Sequence, residues 1–324
     1  WRSNMLVLDS SANGVMTEQR HATAIFGAGL VGQAIASFLK VRLSASLMHL
    51  PFDWVQNASS STQLDAIERC LLEKVRKPGV KTKRISIVWS AGAAGFSAPQ
   101  DILDNEFASF ERVVSLCKTL RVRDPDLALD FHLLSSAGGI FEGQRRVDEA
   151  TIPRPLRPYA DCKLRQEDSV GKLGDGIKAC VYRPSTIYGY HNGGRPGLII
   201  TLVRNGYQHR TTRIFGSPDT MRDFVHVSDV GRYIGNQIVS SRGEGGTFLL
   251  ARGKPTNMRT VISLVEEVIG KRLYLQFDPK PSNAQHNTYR PFAARHMTNS
   301  ISLRYGIKLS ASQWFENEFG QAGT

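Results

Sequence analysis

The sequence 21-HATAIFGAGLVG-32 decides how the fold is interpreted, because it places a short apolar run directly before three glycines. Residues His21–Phe26 predict a buried strand, and Gln33–Lys40 have the pattern of a helix. A strand, a GxGxxG loop and a helix in this order are typical of a dinucleotide-binding turn. A purely structural glycine turn is the alternative, and the surrounding pattern favours the dinucleotide.

Each glycine of this loop has a physical reason in such a site. Gly27 permits the tight turn, Gly29 lets a pyrophosphate approach the backbone, and Gly32 lets the helix pack close to the strand. The helix N-terminus offers free N–H groups and the positive end of its dipole to phosphate. The cofactor-binding residues expected from the loop are Gly27, Gly29, Leu30, Val31 and Gly32.

Strands and helices alternate after the glycine loop. The predicted strands are Ser46–Leu50, Arg84–Trp89, Leu127–Leu134 and Ile177–Pro184, and the helices between them include Gln63–Lys77 and Asp104–Val122. This alternation predicts an α/β fold with a doubly wound parallel sheet of the Rossmann type. Because ligands bind beyond the carboxyl ends of such strands, we expect Ser90, Ala91, Gly92, Ser135 and Ser136 beside the ligands.

The choice between NAD and NADP depends on an acidic residue about 20 positions after the glycines, which binds the ribose of NAD. Asp53 is the candidate. It follows Pro51, however, and falls in the turn beyond the predicted strand. NAD and NADP therefore both stay open.

Tyr159 and Lys163 are a candidate proton-transfer pair, four residues apart at a predicted helix start. Residues i and i+4 share one face of a helix. A cation held near a phenol stabilises the phenolate, which suits the phenol for general acid/base catalysis. Such pairs also arise by chance, so the rest of the chain decides its meaning.

Composition and charge bound the functional classes. The chain has 324 residues, of which 41% are hydrophobic and 22% charged, as in ordinary soluble proteins. It has no run of 18 apolar residues, so no membrane span is expected, and a cytoplasmic location is the default. Residues 1–20 lack the pattern of a signal peptide and resemble an irregular extension.

The ionisable side chains indicate the partners to expect. Four scattered cysteines have no CxxC spacing, so neither a zinc site nor a disulfide framework is predicted, and no metal is expected. The net charge of +12 is compatible with nucleic acid, but the basic residues are dispersed. An anionic small molecule explains the charge as well, and we expect no nucleic-acid partner.

Five motifs together resemble the extended short-chain dehydrogenase/reductase family, the NAD(P)-dependent epimerases, dehydratases and reductases of nucleotide sugars. The motifs are Gly27/Gly29/Gly32, Ser135-Ser136, Tyr159-x-x-x-Lys163, 183-RPSTIYG-189 and 222-RDFVHV-227. Each motif alone occurs in many unrelated proteins, but the five in this order and spacing are specific to the family. The resemblance covers roughly residues 23–304.

The resemblance implies a role for each motif. Tyr159 is then the catalytic acid/base, Lys163 holds the nicotinamide ribose, and Ser136 hydrogen-bonds the reacting hydroxyl or carbonyl. Further implied contacts are Ser135, Arg183 and Pro184 with the cofactor, and Ala137, Thr186, Arg222 and Arg290 with a nucleotide-diphosphate sugar. The arginine fork suits phosphate, although Arg222 could instead pair with Asp223. The family also implies a homodimer through the helices Asp104–Val122 and Tyr159–Val170.

Departures from the family pattern narrow the chemistry. Dehydratases of the family carry an Asp-Glu pair after the catalytic Ser/Thr, where this chain has Ala137 and Gly138. Neither can transfer a proton, so dehydration is disfavoured. Epimerase/reductases that invert a centre through a Cys/His pair need a Cys at position 137, and His191 alone is interpreted as a loop residue.

The prediction is therefore a nucleotide-sugar epimerase that transiently oxidises a sugar hydroxyl, at C4, and reduces the other face. A NADPH-dependent 4-keto-sugar reductase is the alternative, and a non-catalytic dinucleotide sensor is a weaker one. Residues 21–189 and 222–251 are predicted to form the NAD(P)-binding domain. Residues 190–221 and 252–324 are predicted to form a smaller α/β domain for the nucleotide sugar.

Overall fold

The structure is a computed structural model, which describes residues 4–10, 18–52, 54, 59–92, 95–193, 196–240, 244–278, 285–297 and 299–320. Two compact units divide the chain. Unit 1 comprises Trp1–Ile140, Pro155–Arg183 and Gly231–Phe248, and unit 2 comprises Phe141–Arg154, Pro184–Val230 and Leu249–Thr324. Asp53, the predicted ribose ligand, lies outside the described residues.

A seven-stranded sheet organises unit 1. Its strands are β1 (Asn4–Asp9), β2 (Gln19–Phe26), β3 (Ser46–Pro51), β4 (Thr82–Trp89), β5 (Ala128–Leu134), β6 (Ile177–Pro184) and β11 (Gly246–Leu250). Their spatial order is β11-β6-β5-β4-β2-β1-β3, and the pairs from β2 to β6 are parallel. The predicted Rossmann-type fold class is confirmed.

Strand β1 corrects the prediction that residues 1–20 form an irregular extension. It pairs antiparallel with both β2 and β3, and so lies between these two strands in the sheet. Met5, Leu6, Val7 and Leu8 are all buried, because layers cover both faces of the sheet. A run this short, with no alternation of apolar and polar residues, carries no local signal for its place in a sheet.

Helices cover both faces of the sheet. They are α1 (Leu30–Leu43), α2 (Ser59–Val75), α3 (Gln100–Arg123), α4 (Ala137–Ile140), α5 (Pro158–Gly171) and α7 (Val227–Val239). One face carries the apolar core, which includes Ile87, Trp89, Phe110, Val113 and Phe131. On the other face α7 approaches α1 closely, since a Cβ at Gly231 would lie 2.8 Å from Ala34.

Unit 2 has its own core and three two-stranded sheets. The sheets pair β7 (Thr186–Tyr188) with β10 (Phe224–His226), β9 (Met221–Arg222) with β12 (Thr256–Asn257), and β8 (Thr212–Phe215) with β13 (Leu275–Asp278). Its helices are α6 (Leu198–Tyr207), α8 (Met258–Ile269), a 3₁₀ helix Pro291–His296, and α9 (Leu303–Phe319). Leu202, Val261 and Ile307 are among the residues of its core.

The boundaries of the units differ from the predicted domains. Residues 141–154 were expected with the nucleotide-binding part but belong to unit 2, because Val147 donates to Thr288 O at 2.9 Å and accepts from Arg290 N at 3.0 Å. Residues 184–189 and 222–230 join unit 2 through the pairing of β7 with β10. Within the described ranges, no helix is both long and apolar enough to cross a membrane.

Candidate active site

The glycine loop between β2 and α1 has the geometry of a cradle. Gly27 has φ of 102°, and a Cβ there would lie 2.5 Å from Ala91 N, so only glycine fits. Ser90 Oγ donates to Gly27 O at 2.8 Å and fixes the loop to the end of β4. A Cβ at Gly32 would collide with Gly27 O.

Gly29 differs from the other two glycines because the space beside it is open. No described atom lies within 4 Å of the position its Cβ would take. Gly29 precedes α1, whose first turn contains Leu30 and Val31, has no acidic residue and receives no side-chain cap from Gly29. The open cradle at a helix N-terminus fits the pyrophosphate of a dinucleotide.

Ser136 and Tyr159 meet at Gly139. A Cβ at Gly139 would lie 2.9 Å from Tyr159 Cε1 and 3.4 Å from Ser136 Oγ, so the absence of a side chain allows the phenol ring to approach. Gly139 N also donates to Ser136 Oγ at 3.1 Å. Helices α4 and α5 thus bring together a hydroxyl and a phenol that lie 23 positions apart in the sequence.

Lys163 lies beneath the Tyr159 ring, with its Nζ 5.7 Å from the ring centroid. The ammonium is 4% exposed and donates to Glu106 Oε1 at 3.1 Å and to Gln166 Oε1 at 3.0 Å. Burial alone would lower the pKa of Lys163. The Glu106 carboxylate and Tyr159 raise this pKa by more than burial lowers it, so the net shift is upward. Lys163 is therefore a permanent cation at neutral pH.

A second network joins two predicted cofactor residues. Arg183 Nε donates to Glu167 Oε1 at 3.0 Å, and its Nη2 contacts Glu167 Oε2. Ser135 Oγ donates to the same Glu167 carboxylate. Glu167 therefore fixes the end of β5 to the end of β6. Gly92, beyond β4, borders the first network, since a Cβ there would lie 3.8 Å from Lys163 Nζ and from Glu106.

Unit 2 holds Thr186, Arg222 and Arg290 of the residues predicted to bind the sugar nucleotide, whereas Ala137 lies in unit 1. Arg222 lies in β9. The backbone N–H of Asn287, three positions before Arg290, donates to Met221 O at 3.0 Å. Arg290 Nε lies 3.3 Å from Asp148 Oδ2. Thr186 N donates to Asp223 O at 3.0 Å. Pro184, two positions before Thr186, is buried.

The Asp223 carboxylate accepts hydrogen bonds from a serine and from the backbone. Its carboxylate accepts from Ser185 Oγ at 2.7 Å and from the backbone N–H groups of Arg252 and Lys254 at 2.9 and 3.0 Å. Burial raises the pKa of Asp223, and these donors oppose the shift. Asp223 thus anchors the loop after β11.

Sequence reasoning missed Glu106, Gln166, Glu167 and Phe96. Glu106 lies 57 positions from Lys163, so no local pattern relates them. Phe96 is 43% exposed, and its ring centroid lies 5.3 Å from that of Tyr159. Glu167 had a weak signal, since it lies one helical turn after Lys163. Ala137 is fully buried, and it offers no ionisable group beside Ser136.

Comparison with known proteins places the chain in a family. The family model of the NAD dependent epimerase/dehydratase family matches residues 27–235, and the chain belongs to that family. The resemblance to the extended short-chain dehydrogenases/reductases is confirmed.

Individual relatives are more distant. The chain is 26% identical to a UDP-glucose epimerase of Bacillus subtilis, itself described as uncharacterised, over 61% of this chain and 63% of that protein. It is 25% identical to the GDP-6-deoxy-D-mannose reductase of Pseudomonas aeruginosa, over 55% of this chain and 62% of the relative. The matched segments thus span less than two thirds of these curated relatives.

A solved structure supports the fold. The UDP-glucose 4-epimerase of Thermus thermophilus, in complex with NAD, superposes with a TM-score of 0.69 at 19% identity. The match covers 90% of this chain and 97% of that one. At this identity the likeness supports the shared architecture of the fold.

Proposed function

We propose that the protein is an NAD-dependent nucleotide-sugar epimerase that inverts C4 by transient oxidation. The observation that carries the proposal is that Ser136 and Tyr159 meet at Gly139 and Lys163 lies by the Tyr159 ring, without an ionisable group at positions 137 and 138. This set can move one proton during a redox step. It has no acid or base with which to eliminate water or to deprotonate a second carbon.

The chain's residues would act on the reacting hydroxyl. Ser136 Oγ positions the hydroxyl, and the Tyr159 phenolate accepts its proton as the carbon is oxidised to a ketone. The buried Lys163 ammonium stabilises the phenolate meanwhile. After the keto-sugar presents its other face, Tyr159 returns the proton to the oxygen. Bound NAD supplies the hydride acceptor and donor for these two steps.

The glycine loop would hold the dinucleotide. Gly29 and the N–H groups at the start of α1 would bind the pyrophosphate, and Ser90, Ala91 and Gly92 would line the loop beyond β4. Ser135, Arg183 and Pro184 complete the proposed cofactor set. Asp53 is the proposed ribose ligand, which would favour NAD over NADP.

Arg222 and Arg290 are proposed to bind the diphosphate of the substrate. A guanidinium presents two parallel donors that match phosphate oxygens. Thr186 and Ala137 are proposed to contact the sugar nucleotide as well. We further propose that two copies associate through α3 and α5, which pack against each other in each chain.

The second candidate is a 4-keto-sugar reductase. The similarity to the reductase of Pseudomonas aeruginosa favours it, and the same three residues would serve. A single assay separates the candidates. The purified protein is incubated with UDP-glucose, GDP-mannose and dTDP-glucose and, separately, with a nucleotide 4-keto sugar, each with and without NADPH, and the products are analysed by NMR. Interconversion of C4 epimers without cofactor consumption supports the epimerase, whereas stoichiometric oxidation of NADPH on a 4-keto sugar contradicts it.

A further inference from the structure

Glu106 in α3 is a buried carboxylate at the proposed proton-transfer centre. Its Oε1 accepts from Lys163 Nζ at 3.1 Å and from Gln166 Nε2 at 3.3 Å. Its side chain is 7% exposed. A carboxylate placed this deeply requires compensation, and Lys163 supplies the opposite charge.

The second oxygen of Glu106 has no hydrogen-bond partner among the described residues, although it is buried. Buried acceptors in a purely structural ion pair are usually satisfied. This oxygen borders position 92, where a Cβ would lie 3.8 Å from it. Glu106 therefore lies against the loop beyond β4 on which the cofactor is proposed to rest.

We propose that Glu106 is a positioning residue which, acting through Lys163, sets the pH range over which Tyr159 gives and takes its proton. This inference rests on the proposed role of Tyr159. A lone ammonium 5.7 Å from the ring centroid would strongly favour the phenolate. The adjacent carboxylate offsets that field, because Tyr159 then faces an ion pair and not an isolated cation.

The other titratable or charged groups around Lys163 and Glu106 come from two helices. Helix α5 contributes Tyr159, Cys162 and Arg165, and α3 contributes Asp104. Burial and Glu106 raise the pKa of Cys162 to about 11, so its thiol stays neutral in the working range. Arg165 and Asp104 form a pair at 3.7 Å with more than half of each side chain exposed, so solvent screens both. Glu106 is the buried anion of this set.

Two substitutions of Glu106 are expected to act in the same direction. Glu106→Gln removes the charge and keeps the shape of the side chain, so Lys163 acts on Tyr159 unopposed and the phenolate forms at lower pH. Glu106→Ala removes the carboxylate altogether and has the same effect on the charge. Each shift is expected to be about one pH unit, the order of losing one charge at close range in a partly buried site. Asp104→Asn is the matched control on the same helix and leaves the titration unchanged.

The experiment is an ultraviolet titration of phenolate absorbance in the full-length protein without substrate. The signal of Tyr159 is obtained by subtracting the titration of the Tyr159→Phe protein. The expected result is a midpoint lowered in Glu106→Gln and in Glu106→Ala, unchanged in Asp104→Asn and restored in Glu106→Asp. If Glu106→Gln does not fold, the downward shift in Glu106→Ala decides.

An unchanged midpoint in a folded Glu106→Gln or Glu106→Ala protein overturns the inference, as does an equal shift in Asp104→Asn. The pH profile of kcat/KM on a nucleotide sugar gives the second measurement, and its acidic limb should move in the same directions. Failure of the wild-type protein to turn over any nucleotide sugar would count against the proposed function. The absorbance titration would still decide the role of Glu106.

Discussion

Two buried ion pairs of unit 1 differ in how completely their atoms are satisfied. In the middle of the sheet, Asp130 Oδ2 accepts from Arg84 Nε at 2.6 Å and from Ser86 Oγ at 2.9 Å. Ser86 bonds His21 at 2.8 Å, and Arg84 Nη2 donates to Ser240 O at 3.2 Å. Beyond the strand ends, Lys163 pairs with Glu106, and one carboxylate oxygen has no partner among the described residues.

The difference follows from the place of each pair in the fold. Arg84 and Asp130 lie on neighbouring strands beneath helices, where every polar atom must find a partner within the protein. Lys163 and Glu106 lie beside open loops after β4 and β5, where a ligand can complete their bonding. We infer that the first pair serves stability and the second serves chemistry, and each can be tested separately.

The largest effect is expected from Tyr159→Phe, which removes the phenolic hydroxyl that is proposed to exchange a proton with the sugar. Turnover should fall by about 10³-fold, because general acid/base catalysis is lost. The melting temperature and NAD affinity should stay close to those of the wild type, since the ring remains packed on Gly139. Steady-state kinetics and calorimetry check this, with the exposed Tyr274→Phe as a control. Full activity in Tyr159→Phe would contradict the mechanism.

Asp130→Ala should act on stability alone. Removing one partner leaves Arg84 buried and unpaired, which should cost about 3–5 kcal/mol of unfolding free energy. Denaturant unfolding measures this loss, and the folded fraction should keep its turnover number. Asp126→Ala, at an exposed position in the preceding turn, should change stability by less than about 0.5 kcal/mol. A loss of turnover without a loss of stability in Asp130→Ala would contradict the inference that the Arg84–Asp130 pair serves stability alone.

His21, which lies close to the Arg84–Asp130 pair, should make the free energy of unfolding fall in acid. Burial and Arg84 lower the pKa of His21 from 6.5 to about 3. The unfolded chain therefore binds a proton that the folded chain does not, so this contribution is present above pH 6.5 and is lost as the pH falls toward 3. Between these values His21→Gln should flatten the slope of stability against pH by about 1 kcal/mol per unit. His49→Gln, on the exposed side of β3, should leave the slope unchanged.

The smallest effect on stability is expected from Gly29→Ala. No described atom lies within 4 Å of its Cβ position, so the unfolding free energy should change by less than about 1 kcal/mol. NAD affinity should nevertheless fall about tenfold, because the methyl group occupies the space proposed for the pyrophosphate. Denaturant unfolding measures the first quantity and titration calorimetry the second. Gly32→Ala, whose Cβ would collide with Gly27 O, should instead destabilise the fold. Unchanged NAD affinity in Gly29→Ala would place the cofactor elsewhere.

Local patterns predicted the parts of the fold that are coded within short stretches. The alternation of β2, α1 and β3, the helix α5 that carries Tyr159 and Lys163, and the glycine loop all agree with their sequence signals. The insertion of β1 between β2 and β3 had no such signal, because antiparallel pairing with distant strands depends on tertiary packing. Glu106 and Glu167 were missed for the same reason, since each acts on a residue in another element.

The central claim, that the sugar is oxidised and reduced at one carbon, can be tested by isotope retention. A nucleotide sugar deuterated at C4 is incubated with the protein in ordinary water, and the unlabelled sugar is incubated in heavy water. The account predicts that the C4 epimer formed keeps its deuterium and takes none from solvent at C5. Loss of the label, or entry of solvent deuterium at C5, would contradict a site in which Tyr159 exchanges only the hydroxyl proton.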